Sequence, residues 1–297
     1  MHHFLQPGES PDDFPASRMK EIVQYTSGLP EEPVEILGLS PWVMSPKVAK
    51  SWRHDRLLLI GDAAARLSPA GGLGLNNGLQ GVHNLAWKLA DVLKGKAAES
   101  LIDTYELERS PAALQLMQST NRNADEIFVI VAAAMRDDWP AVRDGIHHSR
   151  RHGSGLGQDL GVTYGEGAFE ADGTPLEIGE DPVNDYRPSG RPGGRAPHLE
   201  IENAGDRSSL LDFFGEDFVL LAGRAGGSFR DDCTLAALFQ NGADFEAPAF
   251  EQAYGITSAG AVLVRPDGYV AARFVDGSGS ETPDAVVSRV SKPAILA

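Results

Sequence analysis

The chain has 297 residues with 26 Lys and Arg against 42 Asp and Glu, a formal net charge of −16, which argues against a nucleic-acid binder and disfavours docking to anionic lipid. With 42% hydrophobic and 23% charged residues it is a globular sequence, long enough for one large or two ordinary domains. A lone Cys233 excludes an internal disulfide framework and any multi-cysteine metal site, and no window nears the roughly 18 apolar residues of a membrane span, so the expectation is a soluble cytoplasmic protein.

In chain order, Ser10-Pro11-Asp12-Asp13 caps a helix whose apolar positions Ala16, Met19, Ile22 and Val23 share one face, and Gly28-Leu29-Pro30 stops it. Residues 34–39 and 41–44 read as strands, and Arg56-Leu57-Leu58-Leu59-Ile60 as a buried strand ending at Gly61-Asp62. A glycine-rich turn leads into a helix from about Asn76 to Leu93, with Leu79, Val82, Leu85, Ala86, Leu89 and Val92 at helical spacing and Gly95 ending it. A second long helix starts at Ser100, with a kink or break expected near Ser110 because Pro111 follows.

Glycine and proline are dense from His152 to Pro197, where a connecting segment is expected, with short strands around Val162-Thr163-Tyr164. Beyond it lies a compact α/β unit. Its elements are a strand over 218–223, a helix over 234–239, and a hairpin over 261–274 turning at Arg265-Pro266-Asp267-Gly268.

Several residues invite a functional reading that a plainer one outweighs. Gly153-Ser154-Gly155-Leu156-Gly157 follows no apolar strand and precedes no helix pattern, so it reads as linker. The cluster His147-His148-Ser149-Arg150-Arg151-His152 reads as a solvated helix end, and His2 and His3 lack nearby ligand partners, so no metal site is expected. Cys233 falls near the expected helix start, where a thiol pKa can be lowered, but without a second cysteine it reads as structural. Trp42, Trp52, Trp87 and Trp139 read as packing residues, and Tyr105, Glu108 and Arg109 as a structural polar network on the second long helix. No catalytic acid, base or nucleophile is singled out.

The chemistry concentrates in Leu57-Leu58-Leu59-Ile60-Gly61-Asp62-Ala63-Ala64-Ala65-Arg66-Leu67-Ser68-Pro69-Ala70-Gly71-Gly72-Leu73-Gly74-Leu75-Asn76-Asn77-Gly78. Asp62 at a strand's carboxyl end can accept hydrogen bonds from ligand hydroxyls. Gly71, Gly72 and Gly74 let backbone approach a flat ligand, and the following helix start offers unpaired N–H groups and partial positive charge.

This series, with Asn84-Leu85-Ala86-Trp87-Lys88-Leu89-Ala90 and Leu101-Ile102-Asp103-Thr104-Tyr105-Glu106-Leu107-Glu108-Arg109-Ser110-Pro111, resembles the second flavin-contacting motif of the class A FAD-dependent aromatic hydroxylases, the group of p-hydroxybenzoate and phenol hydroxylases. Arg191-Pro192-Gly193-Gly194-Arg195-Ala196-Pro197-His198 and Val264-Arg265-Pro266-Asp267-Gly268-Tyr269-Val270-Ala271 look like the thioredoxin-like tail of its polyketide and phenol hydroxylase branch.

The resemblance implies an α/β fold: the C-terminal portion of an FAD-binding domain of the p-hydroxybenzoate hydroxylase type over 1–152, a linker over 153–190 and a thioredoxin-like domain over 191–297. It implies FAD as cofactor, NAD(P)H as co-substrate and oxygen-dependent hydroxylation of an aromatic or polyketide substrate in secondary metabolism. Asp62, preceded by Gly61, would bind the ribityl hydroxyls. Pro69 would lie beside the isoalloxazine, Gly71 and Gly72 would admit the ring, and the Gly74, Leu75 and Asn76 amides would face its pyrimidine edge.

Two positions depart from the family pattern: Ala65 stands where a His is usual, and Gly81 where an acidic residue is usual. The family's G-x-G-x-x-G segment, which holds the ADP pyrophosphate, has no counterpart before Leu57. The expectation is therefore a truncated or split hydroxylase, inactive alone and completed by a partner chain carrying the missing half. A homodimer and a non-catalytic scaffold or ligand-binding protein are the alternatives.

Overall fold

The computed structural model describes residues 3–5, 8–30, 32–149, 155–203, 206–231, 233–240, 244–279 and 281–293. His2, Arg150, Arg151, His152, Gly153 and Ser154 lie outside the described residues. The chain divides into two units, residues 1–45 and 46–297.

In the first unit Ser10 caps a short 3-10 turn, Pro11–Asp13, through a reciprocal box with Asp13. Helix α1, Ala16–Ser27, starts only after Pro15 and stops at Gly28 in the left-handed conformation, φ 70°. The expected helix is thus a turn followed by a helix, because Pro15 donates no N–H and fixes a new start. His3 packs on the Phe14 ring at 4.5 Å, with Arg18 on that ring at 4.3 Å. Residues 34–39 and 41–44 form no strand, since no described ladder pairs their N–H and C=O groups.

The second unit begins with two small antiparallel pairs. β1 (Lys47–Val48) pairs with β4 (Ala65–Arg66), and β2 (Arg53–His54) with β3 (Leu57–Leu58). The expected buried strand at 56–60 is therefore a short hairpin arm. Leu57 is 71% exposed, and Leu59 and Ile60 are exposed with it. Burial needs cover on both faces and edges, and only β2 flanks this strand among the described residues.

Helix α2 (Gly74–Leu93) lies beside α3 (Ser100–Ala134), which runs unbroken through Pro111. Proline removes one helical hydrogen bond there, but Glu108, Arg109 and Ala113 are buried around it and hold the helix in place. The apolar stripe predicted for α2 is partly inverted: Leu79 and Val82 are exposed, while Asn77, Asn84, Lys88 and Asp91 face inward with Leu85 and Trp87. Helix α4 (Trp139–His148) starts at an Asp138 cap and ends in exposed His148, whose ring lies 2.8 Å from the Asp144 carbonyl oxygen. Contrary to the expectation of a plain linker over Gly153 to Gly157 with no helix pattern after it, a single helical turn, α5 (Leu156–Leu160), begins within that run.

The C-terminal part opens with the hairpin β5 (Glu200–Asn203) and β6 (Asp206–Ser209). Its main sheet is built from β7 (Val219–Ala222), β8 (Ala236–Phe239), β9 (Ala261–Val264) and β10 (Val270–Phe274), in the order β10-β9-β7-β8, with β7 and β8 parallel and the other pairs antiparallel. The helix expected at 234–239 is strand β8, because its four residues pair with β7 and satisfy that strand's second edge. The intervening turn of helix is α6 (Ser228–Asp231), and α7 (Phe250–Tyr254) and α8 (Pro283–Val290) complete the unit.

Strand alternation divides the burial. Leu220, Ala222 and Leu263 face a core that includes Trp87 of α2, Leu101 of α3 and Val286 of α8. Val219, Leu221, Val262 and Val264 face Phe245, Phe250 and Tyr254. The sheet therefore shares its core with the two long helices. Cys233 packs at the edge of the first cluster, and burial pushes its thiol pKa up, the reverse of a reactive helix-start thiol. Among the described residues no helix is long and apolar enough to cross a membrane, and no cluster of His, Cys, Asp and Glu could hold a metal ion.

Candidate functional site

The glycine-rich turn and the start of α2 form one exposed surface. Gly61 opens a 3-10 turn with φ 56°, Asp62 projects from it into solvent, and the Gly78 Cβ position lies 3.5 Å from the Gly61 Cα, so α2 rests directly on this turn. The chain returns through buried Ala65, Leu67 and Ser68 to Pro69, whose carbonyl accepts a hydrogen bond from the Gly72 amide at 3.0 Å. Gly71 and Gly72 have φ of 112° and 69°, values that side chains with a Cβ rarely adopt.

Helix α2 then begins at Gly74 with Leu73 as its N-cap and no side-chain cap. No acceptor is seen among the described residues for the Gly74, Leu75 and Asn76 amides, so three donors and the positive end of the helix dipole point outward. A Cβ on Gly74 would stand 3.9 Å from Asp62 Oδ1, which places the carboxylate beside the first turn. Leu75 and Asn76 are exposed, as are Pro69, Gly71 and Gly72. The structure thus brings Gly61, Asp62, Pro69, Gly71, Gly72, Gly74, Leu75 and Asn76 together as a rim carrying an acceptor carboxylate and a row of donor amides.

The two departures from the family pattern have local explanations. Ala65 is buried in β4, with 1% exposure. Gly81 faces Tyr105, whose hydroxyl is 3.4 Å from the Gly81 Cβ position and donates to the Leu59 carbonyl at 3.1 Å. The phenol thus occupies the space an acidic side chain would need.

Behind this surface lies a buried ionic network of which the sequence suggested only the α3 members. Glu108 of α3 meets Arg265 through two parallel contacts, Nη1 to Oε1 at 2.8 Å and Nη2 to Oε2 at 2.9 Å. Lys88 Nζ of α2 donates to Glu108 Oε2 at 2.8 Å and to Asn84 Oδ1 at 3.0 Å, and the Ala168 amide donates to Glu108 Oε1 at 2.7 Å. Asp267 accepts from Arg265 Nε at 2.9 Å.

Burial alone would raise the Glu108 pKa, but Arg265 and then Lys88 outweigh it and hold the carboxyl down to about 2. Burial likewise pulls Lys88 down to about 8, opposed chiefly by Glu108. Arg265 is enclosed by the rings of Trp87, Tyr164 and Tyr269 at 5.3 to 5.7 Å, and the two tyrosines stack at 4.4 Å. Next to Glu108, buried Arg109 donates to Asn77 Oδ1 at 3.0 Å and Gln80 Oε1 at 3.2 Å. The Arg109 and Asn76 side chains also line a cavity of about 600 Å³ between α2, α3 and the segment from Gly157 to Arg195. Lys88 and Asn84 were legible only as part of a motif, and Arg265 and Asp267 only as a turn, because their partners are distant in sequence.

Comparison with known proteins places the chain beside flavin-dependent hydroxylases. Residues 2–120 match the FAD binding domain family, and residues 189–293 the family described as aromatic-ring hydroxylase, C-terminal. The chain is 36% identical over 292 residues to tetracenomycin A2 monooxygenase-dioxygenase of Streptomyces glaucescens, covering 91% of this chain and 47% of that protein. It is also 36% identical over 296 residues to aklavinone 12-hydroxylase RdmE of Streptomyces purpurascens, covering 95% and 52%. The flavin-dependent monooxygenase PieE, solved with FAD and substrate, superposes with a TM-score of 0.84 at 31% identity over 97% of this chain and 56% of its own. A ternary complex of aklavinone-11 hydroxylase with FAD and aklavinone gives 0.76 at 33% identity, over 96% and 52%. The chain spans about half the length of these relatives.

Proposed function

Since the chain is a homologue of FAD-dependent aromatic and polyketide hydroxylases, we propose that it supplies the isoalloxazine-facing part of such an enzyme's flavin site together with its C-terminal domain. The observation that carries this reading is the uncapped start of α2 beside exposed Asp62 and the Gly71-Gly72 turn.

The residues present fit FAD. Asp62 would accept from a ribityl hydroxyl, Pro69 would lie beside the isoalloxazine, and Gly71 and Gly72, with positive φ and no Cβ, would leave the backbone bare where a flat ring passes. The Gly74, Leu75 and Asn76 amides, with the dipole of α2, would face the pyrimidine edge and favour negative charge there. When bound, FAD reduced by NAD(P)H would supply the oxygen-activating chemistry, one atom of O2 going to an activated phenol ring and the other leaving as water. The chain's own part is to orient the ring and keep α2 in place.

Leu57, Leu59 and Ile60 before the turn and Leu75, Leu79 and Val82 on α2 are exposed apolar side chains, which supports completion by a polypeptide carrying the pyrophosphate-binding half, in the same protein or a partner. The proposed organisation is a flavin-domain portion over 1–152, a connector over 153–190 and the C-terminal α/β domain over 191–297. The substrate class is an aromatic polyketide, and a single cysteine favours a cytoplasmic setting.

The test is a visible-spectrum titration with FAD, on the chain alone and mixed with a polypeptide carrying a strand followed by G-x-G-x-x-G. Flavin binding in the mixture supports the reading. A well-folded mixture that binds no FAD at micromolar concentration overturns it.

A further inference from the structure

We propose that the C-terminal α/β unit is a positioning element for α2, acting through Arg265 on Glu108 to hold the helix whose first turn meets the flavin. The inference rests on the flavin reading above for its functional meaning, and on the buried network for its mechanics.

Glu108 is the hub. Its two oxygens receive Arg265 from the turn between β9 and β10, the Ala168 amide from the connecting segment, and Lys88 from α2. The Asn84 amide of α2 reaches both Glu108 and Asp267. Lys88 and Arg265 balance Glu108 and Asp267, and all four side chains are almost wholly buried. A buried cluster of this kind is a weak source of net stability, since well-packed apolar residues often serve as well or better. What it supplies is geometry: the planar fork of Arg265 accepts one orientation of the Glu108 carboxylate, which a lysine's point charge does not impose.

The grip falls on a single face of α2. Arg109 holds Asn77 and Gln80, and Glu108 holds Asn84 and Lys88, four positions spaced for one side of a helix. Arg109 itself touches the Tyr164 hydroxyl at 3.4 Å, and Tyr164 stacks on Tyr269 of the C-terminal unit. Both adjacent residues of α3 are therefore set by the C-terminal unit, and both set α2. A helix is stiff over this length, so a turn or slide at Asn84 and Lys88 displaces the amides of Gly74, Leu75 and Asn76.

The test compares the wild-type chain with Arg265→Met, Arg265→Lys and the charge-neutral double variant Glu108→Gln/Arg265→Met, the last retaining a fold if the first does not. Hydrogen exchange is read separately for the amides of α2 and for those of β7 and β9, and FAD affinity is read by visible titration. Positioning predicts at least about ten-fold faster exchange in α2, with β7 and β9 within about two-fold, and at least about ten-fold weaker FAD binding. It predicts this for all three variants, including the double variant with a wild-type melting midpoint and Arg265→Lys with its charge intact. Wild-type exchange in α2 for the folded double variant, or full rescue by Lys, overturns the proposal. If the wild type itself binds no FAD in any form, the flavin reading falls, and the exchange comparison alone decides whether Arg265 holds α2.

Discussion

Glu108 and Arg265 stand 157 positions apart in the chain and meet as a two-pronged ion pair with both side chains at 0% exposure. One belongs to the long helix of the flavin-domain portion and the other to the hairpin turn of the C-terminal unit, so neither portion completes its buried charges without the other.

Removing one member strands its partners. Glu108→Ala leaves Arg265 and Lys88 buried with less compensation, and a loss of about 3–5 kcal/mol is expected. Urea unfolding measures it, and a loss below about 1 kcal/mol would mean the site is wetter than the structure shows.

The same carboxylate sets an acid limit. Its folded pKa of about 2 lies below its ordinary value of 4.5. The unfolded chain therefore takes up the proton first as pH falls. The contribution of Glu108 is full above about pH 4.5 and drains away as pH drops toward 2, on the order of 3 kcal/mol. Lys88 gives a pH dependence of the same sign in a different window: lowered to about 8, chiefly by burial, it makes stability rise with pH between about 8 and 10.5. Unfolding midpoints across the acid range should fall more steeply for the wild type than for Glu108→Gln. Parallel profiles would contradict the assignment.

Asp62 projects into solvent and holds no described hydrogen bond, so Asp62→Ala should leave thermal stability within about 0.5 kcal/mol. Its effect is expected on FAD, weakened by about 1–3 kcal/mol through loss of a hydroxyl acceptor. Unchanged affinity in a flavin-binding form would remove Asp62 from the ribityl role.

Gly193 makes a purely structural prediction. It has φ 81°, and a Cβ there would lie 2.7 Å from the Tyr164 carbonyl oxygen and 2.8 Å from the Phe169 ring. Gly193→Ala should cost about 2–4 kcal/mol, adding backbone strain to overpacking. A thermal shift of only a degree or two would show that this stretch gives way as an ordinary linker does.

Local chemistry was readable in the sequence wherever neighbours along the chain decide the outcome. The helix expected from about Asn76, which in fact starts two residues earlier at Gly74, its end near Gly95 and the hairpin at Arg265 to Gly268 follow from the spacing and turn preferences of adjacent residues. The row from Gly61 to Asn76 is legible as a candidate flavin rim through its resemblance to the aromatic hydroxylase motif, and Tyr105, Glu108 and Arg109 as a structural polar network.

Tertiary structure decided what depends on distant partners. The apolar run at 56–60 reads as a buried strand, yet Leu57 is exposed, because burial belongs to the neighbours and not to the run itself. Residues 236–239 become a strand because β7 offers an edge, overriding the local helical preference. The inward face of α2 carries Asn84 and Lys88 in place of Leu79 and Val82, because Glu108 and Arg265 meet there. A charge enters the core only where an opposite charge awaits it, and that pairing across 157 residues leaves no periodicity in the sequence to read.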